Sequence, residues 1–235
     1  MLAIRSTLPE ELDSDTTDPV TYQRVLSELA VCNRMTLTHR PTLRWLGRAT
    51  TGMTEFSVLD VGHGDGDLLR AIARWADRRG LKAKLSGIDL NPRSSAAARA
   101  ATPSWMQIDY QTGCVFSYLP PEPVDFIVSS QVAHHFTDEQ VVDFVAWLEQ
   151  NATRGWHIAD LQRHAMAYYA FPVLCRVMGW HRIIRRDGAI SIARSFRRED
   201  WESYLREAGV VADVSWHLFR YCVSRRSPAV ATQPI

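Results

Sequence analysis

The sequence predicts an α/β fold in which a seven-stranded, mostly parallel sheet carries helices on both faces. Three observations support this. Short apolar runs alternate with helical patterns from residue 56 onward, which is typical of parallel sheets. The first run ends in a turn with glycine at every second position, where the backbone can bend sharply. The last two runs, residues 210–216 and 219–224, are close enough in sequence to pair as an antiparallel hairpin.

The composition restricts the possible partners and the cellular setting. With 235 residues, the chain can form either one large domain or a domain plus a small lid. The balance of 27 basic and 26 acidic residues predicts no nucleic-acid partner and favours a small, neutral or weakly acidic substrate. The four cysteines form no Cys-x-x-Cys pair, and no apolar run is long enough to span a membrane. We therefore expect a cytoplasmic protein. The large excess of arginine over lysine favours a bacterial source. The sequence does not predict the oligomeric state.

The N-terminal region predicts a helical cap outside the sheet. Residues 1–17 are polar, and we expect a mobile lead-in there. Asp18 and Pro19 then predict a helix start, and a second helix is expected over Pro41–Arg48. The expected organisation is a helical cap over 1–52, the main domain over 53–226 with a lid insertion at 161–194, and a tail over 227–235.

Within the main domain, each apolar run predicts a strand and each run of helical spacing predicts a helix. A helix from Asp67 should end at Gly80, and Asn91-Pro92 should start the next one. Ser195 and Gly209 delimit the last predicted helix. The five strands before the hairpin are predicted at Phe56–Val61, Leu85–Asp89, Trp105–Asp109, Val124–Ser129 and Gly155–Ala159, and a further helix at about 138–150.

The glycine turn distinguishes two kinds of nucleotide site. The dinucleotide fingerprint needs its last glycine where Asp67 stands. The order acid-x-Gly-x-Gly-x-Gly, which runs from Asp60 to Gly66, instead resembles the first motif of class I S-adenosylmethionine-dependent methyltransferases. The resemblance, over about residues 56–224, implies a Rossmann-like methyltransferase fold. It also implies S-adenosylmethionine as cofactor and S-adenosylhomocysteine as product.

The resemblance assigns the cofactor contacts residue by residue. Asp89 ends the second strand, where the family's acid binds both ribose hydroxyls; the alternative is a helix N-cap. Asp109 and Tyr110 stand where the family contacts adenine. The alternative is that Asp109 is a solvated loop acid and that the Tyr110 ring packs beside it. Leu90 would cover the other adenine face, and Asp60 would orient the turn and the methionine amino end. The full predicted cofactor-binding set is Asp60, Gly62, Gly64, Gly66, Asp89, Leu90, Asp109, Tyr110 and Ser130.

Two adjacent histidines follow the fourth strand. Members that methylate nucleic-acid amino groups carry an Asn/Asp-Pro-Pro-aromatic element here, which this chain lacks. Paired histidines such as His134 and His135 resemble small-molecule methyltransferases of natural-product and quinone pathways, where one can act as a general base; the alternative is a structural role at a helix start. Asp160 would orient a histidine, or cap the next helix. No metal site is predicted, because too few further ligands lie nearby in sequence.

The predicted substrate contacts lie after the fourth and fifth strands and in the lid. They are Gln131, Arg163, His164, Tyr168 and His181. The aromatic residues of the lid either pack as ordinary core or select a flat hydrophobic acceptor. The run of residues 185–188 is interpreted as a solvated turn.

These observations favour methyl transfer to a hydroxyl of a small aromatic, quinol-like or glycosylated natural product. A histidine base fits this reaction, because a phenol with a pKa near about 10 keeps its proton at neutral pH. Methylation at nitrogen or carbon is the alternative within the same enzyme class. A non-catalytic adenosylmethionine-binding subunit and a nicotinamide-binding protein are the alternatives outside it.

Overall fold

The structure, a computed structural model, describes residues 2–14 and 17–226. Its strands are β1 (Glu55–Val61), β2 (Lys82–Asp89), β3 (Ile108–Thr112), β4 (Val124–Ser130), β5 (Ala152–Leu161), β6 (Asp213–Trp216) and β7 (Arg220–Arg226). They form one sheet in the order β3-β2-β1-β4-β5-β7-β6. Strands β1 to β5 run parallel, and β7 is antiparallel to both of its neighbours. The predicted sheet and terminal hairpin are confirmed.

Helices cover both faces of this sheet. They are α1 (Pro19–Met35), α2 (Arg40–Ala49), α3 (Asp67–Asp77), α4 (Pro92–Ala101), α5 (Asp138–Asn151), α6 (Ala165–Val177), α7 (Arg182–Arg194) and α8 (Arg198–Glu207). On one face, Leu69 and Ile72 of α3 pack with Trp45 of α2. On the other, Phe144 of α5 and Trp201 of α8 are completely buried. The predicted start of α1 at Asp18 and Pro19 is confirmed, because the Asp18 carboxylate accepts hydrogen bonds from two backbone N–H groups.

Strand β3 lies three residues later than predicted. The prediction of Trp105–Asp109 is wrong because residues 103–106 form a turn, in which the Met106 N–H donates to the Pro103 carbonyl. The register with β2 pairs Leu85 with Ile108 and Asp89 with Thr112. Residues 112 to 114, rather than Asp109, therefore lie at the end of this strand.

Residues 161–194, the predicted lid insertion, contain α6 and α7, which pack against each other and against α1. Cys175, Ile183 and Ile184 form a buried cluster with Val25 of α1. The solvated turn predicted at residues 185–188 is wrong, because these residues lie within α7. The Asp187 carboxylate is buried and accepts from the N–H groups of residues 11 and 12.

Residues 2–14, called the N-terminal segment below, pack on the domain and do not form the free lead-in expected. The Ser6 N–H donates to the Ala193 carbonyl at 2.9 Å. The Arg5 guanidinium donates to the carbonyls of Arg194 and Phe136. The predicted tail at 227–235 lies outside the described residues. Within the described part, no helix has the length and apolar character needed to cross a membrane.

Candidate functional site

A cavity of about 1070 Å³ opens at the carboxyl ends of β1, β2 and β4, where ligands collect in parallel sheets. The glycine turn and Asp89 line one part of it, and His134 and His135 line another. Helices α1, α6 and α7 close it with apolar side chains, among them Leu26, Leu29, Met166, Phe171, Leu174 and Ile184. The cavity thus joins most of the predicted donor site to the predicted histidines.

The structure explains why glycine is needed at each of the three positions of the turn. All three have positive φ angles, between 54° and 77°, where side chains other than glycine are strained. A Cβ at Gly62 would lie 2.2 Å from Val132, and one at Gly66 would lie 2.3 Å from the Tyr110 hydroxyl. A Cβ at Gly64 would meet no protein atom within 4 Å. Gly62 and Gly64 line the cavity, whereas Gly66 serves the packing of Tyr110.

The Asp89 carboxylate connects the end of β2 to this turn. Its Oδ2 accepts from the Gly64 N–H and its Oδ1 from the Asn91 N–H, both at 2.9 Å. A carboxylate has about four acceptor sites, so two bonds leave capacity for a ligand. Both Asp89 and the largely exposed Leu90 line the cavity. The helix N-cap is Asn91 and not Asp89, which removes the alternative role considered for Asp89.

Two buried oxygens beside the turn have no hydrogen-bond partner within the described part of the chain. They are Oδ1 of Asp60, at the end of β1, and the hydroxyl of Ser130, at the end of β4. Burial, with Asp67 and Asp89 nearby, raises the pKa of Asp60 well above its usual range. An unpaired buried acceptor is costly, and a ligand N–H group would satisfy it. Ser130 lines the cavity, and Asp60 lies behind it.

Gln131 links the site to α1. It follows β4 with a φ of 59°, a strained value for a non-glycine residue. Its amide donates to Oδ1 of Asn33 at 3.0 Å, and the Asn33 amide donates to Asp67 at 2.9 Å. Asp67 also contacts Nε2 of His39 at 3.0 Å. These bonds hold α1 against the glycine turn, and Gln131 and Asn33 both line the cavity.

His134 and Asp160 form a buried pair, as predicted from their positions after β4 and at the end of β5. Nδ1 of His134 lies 2.7 Å from the Asp160 carboxylate, which also accepts the His134 backbone N–H. Burial opposes the charged form, but Asp160 and then Glu10 raise the pKa of His134 to about 9. The carboxylates that orient this imidazole therefore also favour its charged form.

The N-terminal segment places two further carboxylates on the histidines. Oε1 of Glu10 lies 3.6 Å from Nε2 of His134, and Oε2 lies 3.9 Å from Nε2 of His135. Nδ1 of His135 lies 3.0 Å from Asp13. Despite burial, the histidines hold the pKa of Glu10 below its ordinary value, and the Ser191 hydroxyl donates to Glu10 at 2.9 Å. We call Glu10, Asp13, His134, His135 and Asp160 the histidine–carboxylate cluster.

Two predicted adenine contacts lie away from the cavity. Asp109 is exposed and accepts from the Gln111 amide at 2.6 Å. Tyr110 is buried, packs against His63, and shares a hydrogen bond with Thr102 at 2.9 Å. The shift of β3 explains both, because it moves residues 113–116 into the place predicted for Asp109. Those residues line the cavity.

Four predicted substrate contacts lie away from the cavity and have other contacts. Arg163 is buried and donates to the Ser195 carbonyl and the Asp200 carboxylate. His164 and His181 cap α6 and α7, each accepting a backbone N–H at its Nδ1. Tyr168 packs edge-on against Tyr169. None of the four lines the cavity among the described residues, so Gln131 alone of the predicted substrate set does.

Sequence reasoning missed Glu10 and Asp13, although both lie on the cavity. Their only signal was an acidic composition, which is also typical of a solvated terminus. Arg194 was missed too. Its guanidinium donates to the carbonyls of His134, His135 and Leu8, and so fixes the histidine turn and the N-terminal segment together.

Comparison with known proteins agrees with this geometry. Residues 58–154 match the profile of a protein family described as "Methyltransferase domain". Over these residues the chain is similar to that family. The match begins inside β1 and ends inside β5, so it includes the glycine turn, Asp89 and both histidines. The resemblance to class I methyltransferases is therefore confirmed, while no curated protein sequence gave a significant match.

Solved structures with the same fold support this similarity. Magnesium protoporphyrin IX methyltransferase from Synechocystis PCC 6803, with bound SAH, is 15% identical at a TM-score of 0.57, over 92% of this chain and 91% of that one. The plantazolicin methyltransferase BpumL, with a pentazolic desmethylPZN analog and SAH, is 14% identical at 0.66, over 88% and 77%. The CurJ carbon methyltransferase is 13% identical at 0.62, over 89% and 61%.

Proposed function

We propose that the protein transfers a methyl group from S-adenosylmethionine to a hydroxyl of a small, hydrophobic aromatic, quinol-like or glycosylated natural product. The observation that carries this proposal is the single cavity that joins the glycine turn and Asp89 to the histidine–carboxylate cluster. Two solved structures of the same fold hold S-adenosylhomocysteine. At about 1070 Å³ the cavity exceeds the usual range of about 300–1,000 Å³ for one ligand, so it has room for donor and acceptor together.

The donor is proposed to lie against the glycine turn. Asp89 offers free acceptor sites for a vicinal diol, and Gly64 leaves the backbone uncovered. The unpartnered oxygens of Asp60 and Ser130 fit the ammonium group of the methionine portion. The bound donor supplies an activated methyl group. The work left to the protein is alignment, exclusion of water and removal of one proton.

The acceptor is proposed to lie under α6 and α7. Phe171, Leu174 and Ile184 make this side of the cavity apolar, which suits a flat hydrophobic molecule. The hydroxyl proton would leave to the histidine–carboxylate cluster. The proposed acceptor of that proton is His134 or His135, with Asp160 orienting His134 and Asp13 orienting His135.

Methylation at carbon or nitrogen is the competing proposal, and one structural neighbour is a carbon methyltransferase. Titration calorimetry should first show binding of S-adenosylhomocysteine and none of NAD. Transfer from methyl-labelled S-adenosylmethionine to a panel of phenols, anilines and 1,3-dicarbonyl carbon acids should then give methyl ethers only. Labelled N- or C-methyl products would refute the hydroxyl specificity. Binding without transfer to any acceptor class would instead support a non-catalytic subunit.

A further inference from the structure

We propose that Glu10, His134 and His135 form a binding site for a divalent transition metal ion such as Zn²⁺, Mn²⁺ or Fe²⁺. Their candidate ligand atoms all lie within 4.8 Å of one another. Two imidazole nitrogens and one carboxylate oxygen are a set that such ions accept, with further positions left for other ligands. The histidines alone gave no such prediction, because the third ligand comes from the N-terminal segment.

The orientation of both imidazoles supports a metal site more specifically than their proximity does. Nδ1 of His134 faces Asp160 at 2.7 Å, and Nδ1 of His135 faces Asp13 at 3.0 Å. Each ring therefore directs Nε2 toward Glu10. A histidine that binds metal nearly always donates its other N–H to a carboxylate, a carbonyl or water. This cluster contains that arrangement twice.

The distances need only a small contraction. Two ligand atoms at about 2.1 Å from a tetrahedral ion lie about 3.4 Å apart. The Glu10 oxygens lie 3.6 and 3.9 Å from the two Nε2 atoms. These two separations exceed the tetrahedral value by only about 0.2 and 0.5 Å. Arg194, which binds the carbonyls of both histidines, and Ser191, which binds Glu10, hold the backbone and the carboxylate in place.

Charge also favours a cation at this position. Glu10, Asp13 and Asp160 bring three carboxylates to two imidazoles within a largely buried region. A divalent cation at this position would lie among carboxylates that outnumber the imidazoles.

The ion would face the acceptor side of the cavity. His134, His135 and Glu10 all line it, next to Phe136 and Ile192. A hydroxyl or enol oxygen of the acceptor could complete the coordination, and a bound cation lowers the pKa of such a group. This consequence rests on the proposed function, whereas binding of the ion does not.

The test is a direct metal titration of the 235-residue chain after EDTA has removed any bound metal. Zn²⁺ is added in the presence of a competing chromogenic chelator and in the absence of S-adenosylmethionine. We expect one ion per chain and a rise in the unfolding temperature on binding. Glu10→Gln and His135→Ala should each abolish stoichiometric binding, and Asp13→Asn should weaken it by about 10–100-fold. Glu11→Gln removes the neighbouring acid, which contacts exposed Arg182 and Arg186 instead, and should bind as wild type.

Absence of binding by the wild-type chain would overturn the proposal, as would undiminished binding by correctly folded Glu10→Gln and His135→Ala. Calorimetry with S-adenosylhomocysteine on the stripped protein separates this outcome from the proposed function. Donor binding without metal binding refutes only the metal site. Metal binding without donor binding refutes only the methyl transfer.

Discussion

His157 should make the stability of the protein strongly dependent on pH. It lies in β5, is 3% exposed, stacks on Trp45 at 5.3 Å between ring centroids, and has no hydrogen-bond partner at either nitrogen among the described residues. Burial, assisted by Arg48, lowers its pKa to about 3. Below pH 6.5 the unfolded chain takes up this proton and the folded chain does not. The stabilisation is therefore complete above pH 6.5 and is lost as the pH falls toward 3.

The loss is about 1.4 kcal/mol for each pH unit below about 6.5, which gives about 2 kcal/mol at pH 5. His157→Leu replaces two unsatisfied nitrogens by apolar atoms, so it should change stability little at pH 8. Between pH 8 and pH 5, urea unfolding should show that the variant loses about 2 kcal/mol less free energy of unfolding than the wild type. The other titrating groups cancel in this difference. Equal losses in the two proteins would refute the assignment.

Three further predictions concern the cavity. Gly64→Val should weaken S-adenosylhomocysteine binding at least 10-fold in calorimetry while costing about 1–2 kcal/mol of stability; unchanged affinity would contradict a donor site at this turn. Asp89→Asn should weaken S-adenosylhomocysteine binding about 10–100-fold, because it removes charged hydrogen bonds worth about 1.5–3 kcal/mol. Asp109→Asn should leave this binding unchanged; equal effects of the two substitutions would restore Asp109 as a contact. Gly188→Val should lower the free energy of unfolding, measured in urea, by about 1–3 kcal/mol, because a Cβ there would lie 2.1 Å from the Phe171 ring. A variant as stable as the wild type would show that α6 and α7 can separate freely.

The sheet, the glycine turn and the position of Asp89 were predictable because their signals are local. Glycines with positive φ, an acid at the end of β2 and short apolar strands each fix structure within a few residues. Strand β3 was misplaced because Trp105 and Met106 look like strand residues, yet they lie in a turn. An error of three residues was enough to assign Asp109 and Tyr110 to a cavity that neither lines.

The histidine–carboxylate cluster was harder to predict because its contacts are distant in sequence. The pairing of His134 with Asp160 could be predicted, since both follow neighbouring parallel strands. No periodicity connects Glu10 or Asp13 to those residues. Arg163 and His181 show the opposite error: polar residues near a cleft were assigned to ligand binding, although backbone carbonyls, caps and ion pairs already occupy them.

The packing of the N-terminal segment also sets the order in which the site can be completed. Arg5 binds the backbone of Arg194, 189 positions later, so Glu10 and Asp13 can reach the histidines only after α7 has been synthesised and packed. Strands β1 to β5, with the donor side of the cavity, are already available by residue 161. During synthesis, a chain without α7 therefore contains the glycine turn and Asp89 but lacks the packed N-terminal segment that places Glu10 and Asp13 on the histidines. The part of the cavity proposed to hold the donor is thus made before the part proposed to hold the acceptor.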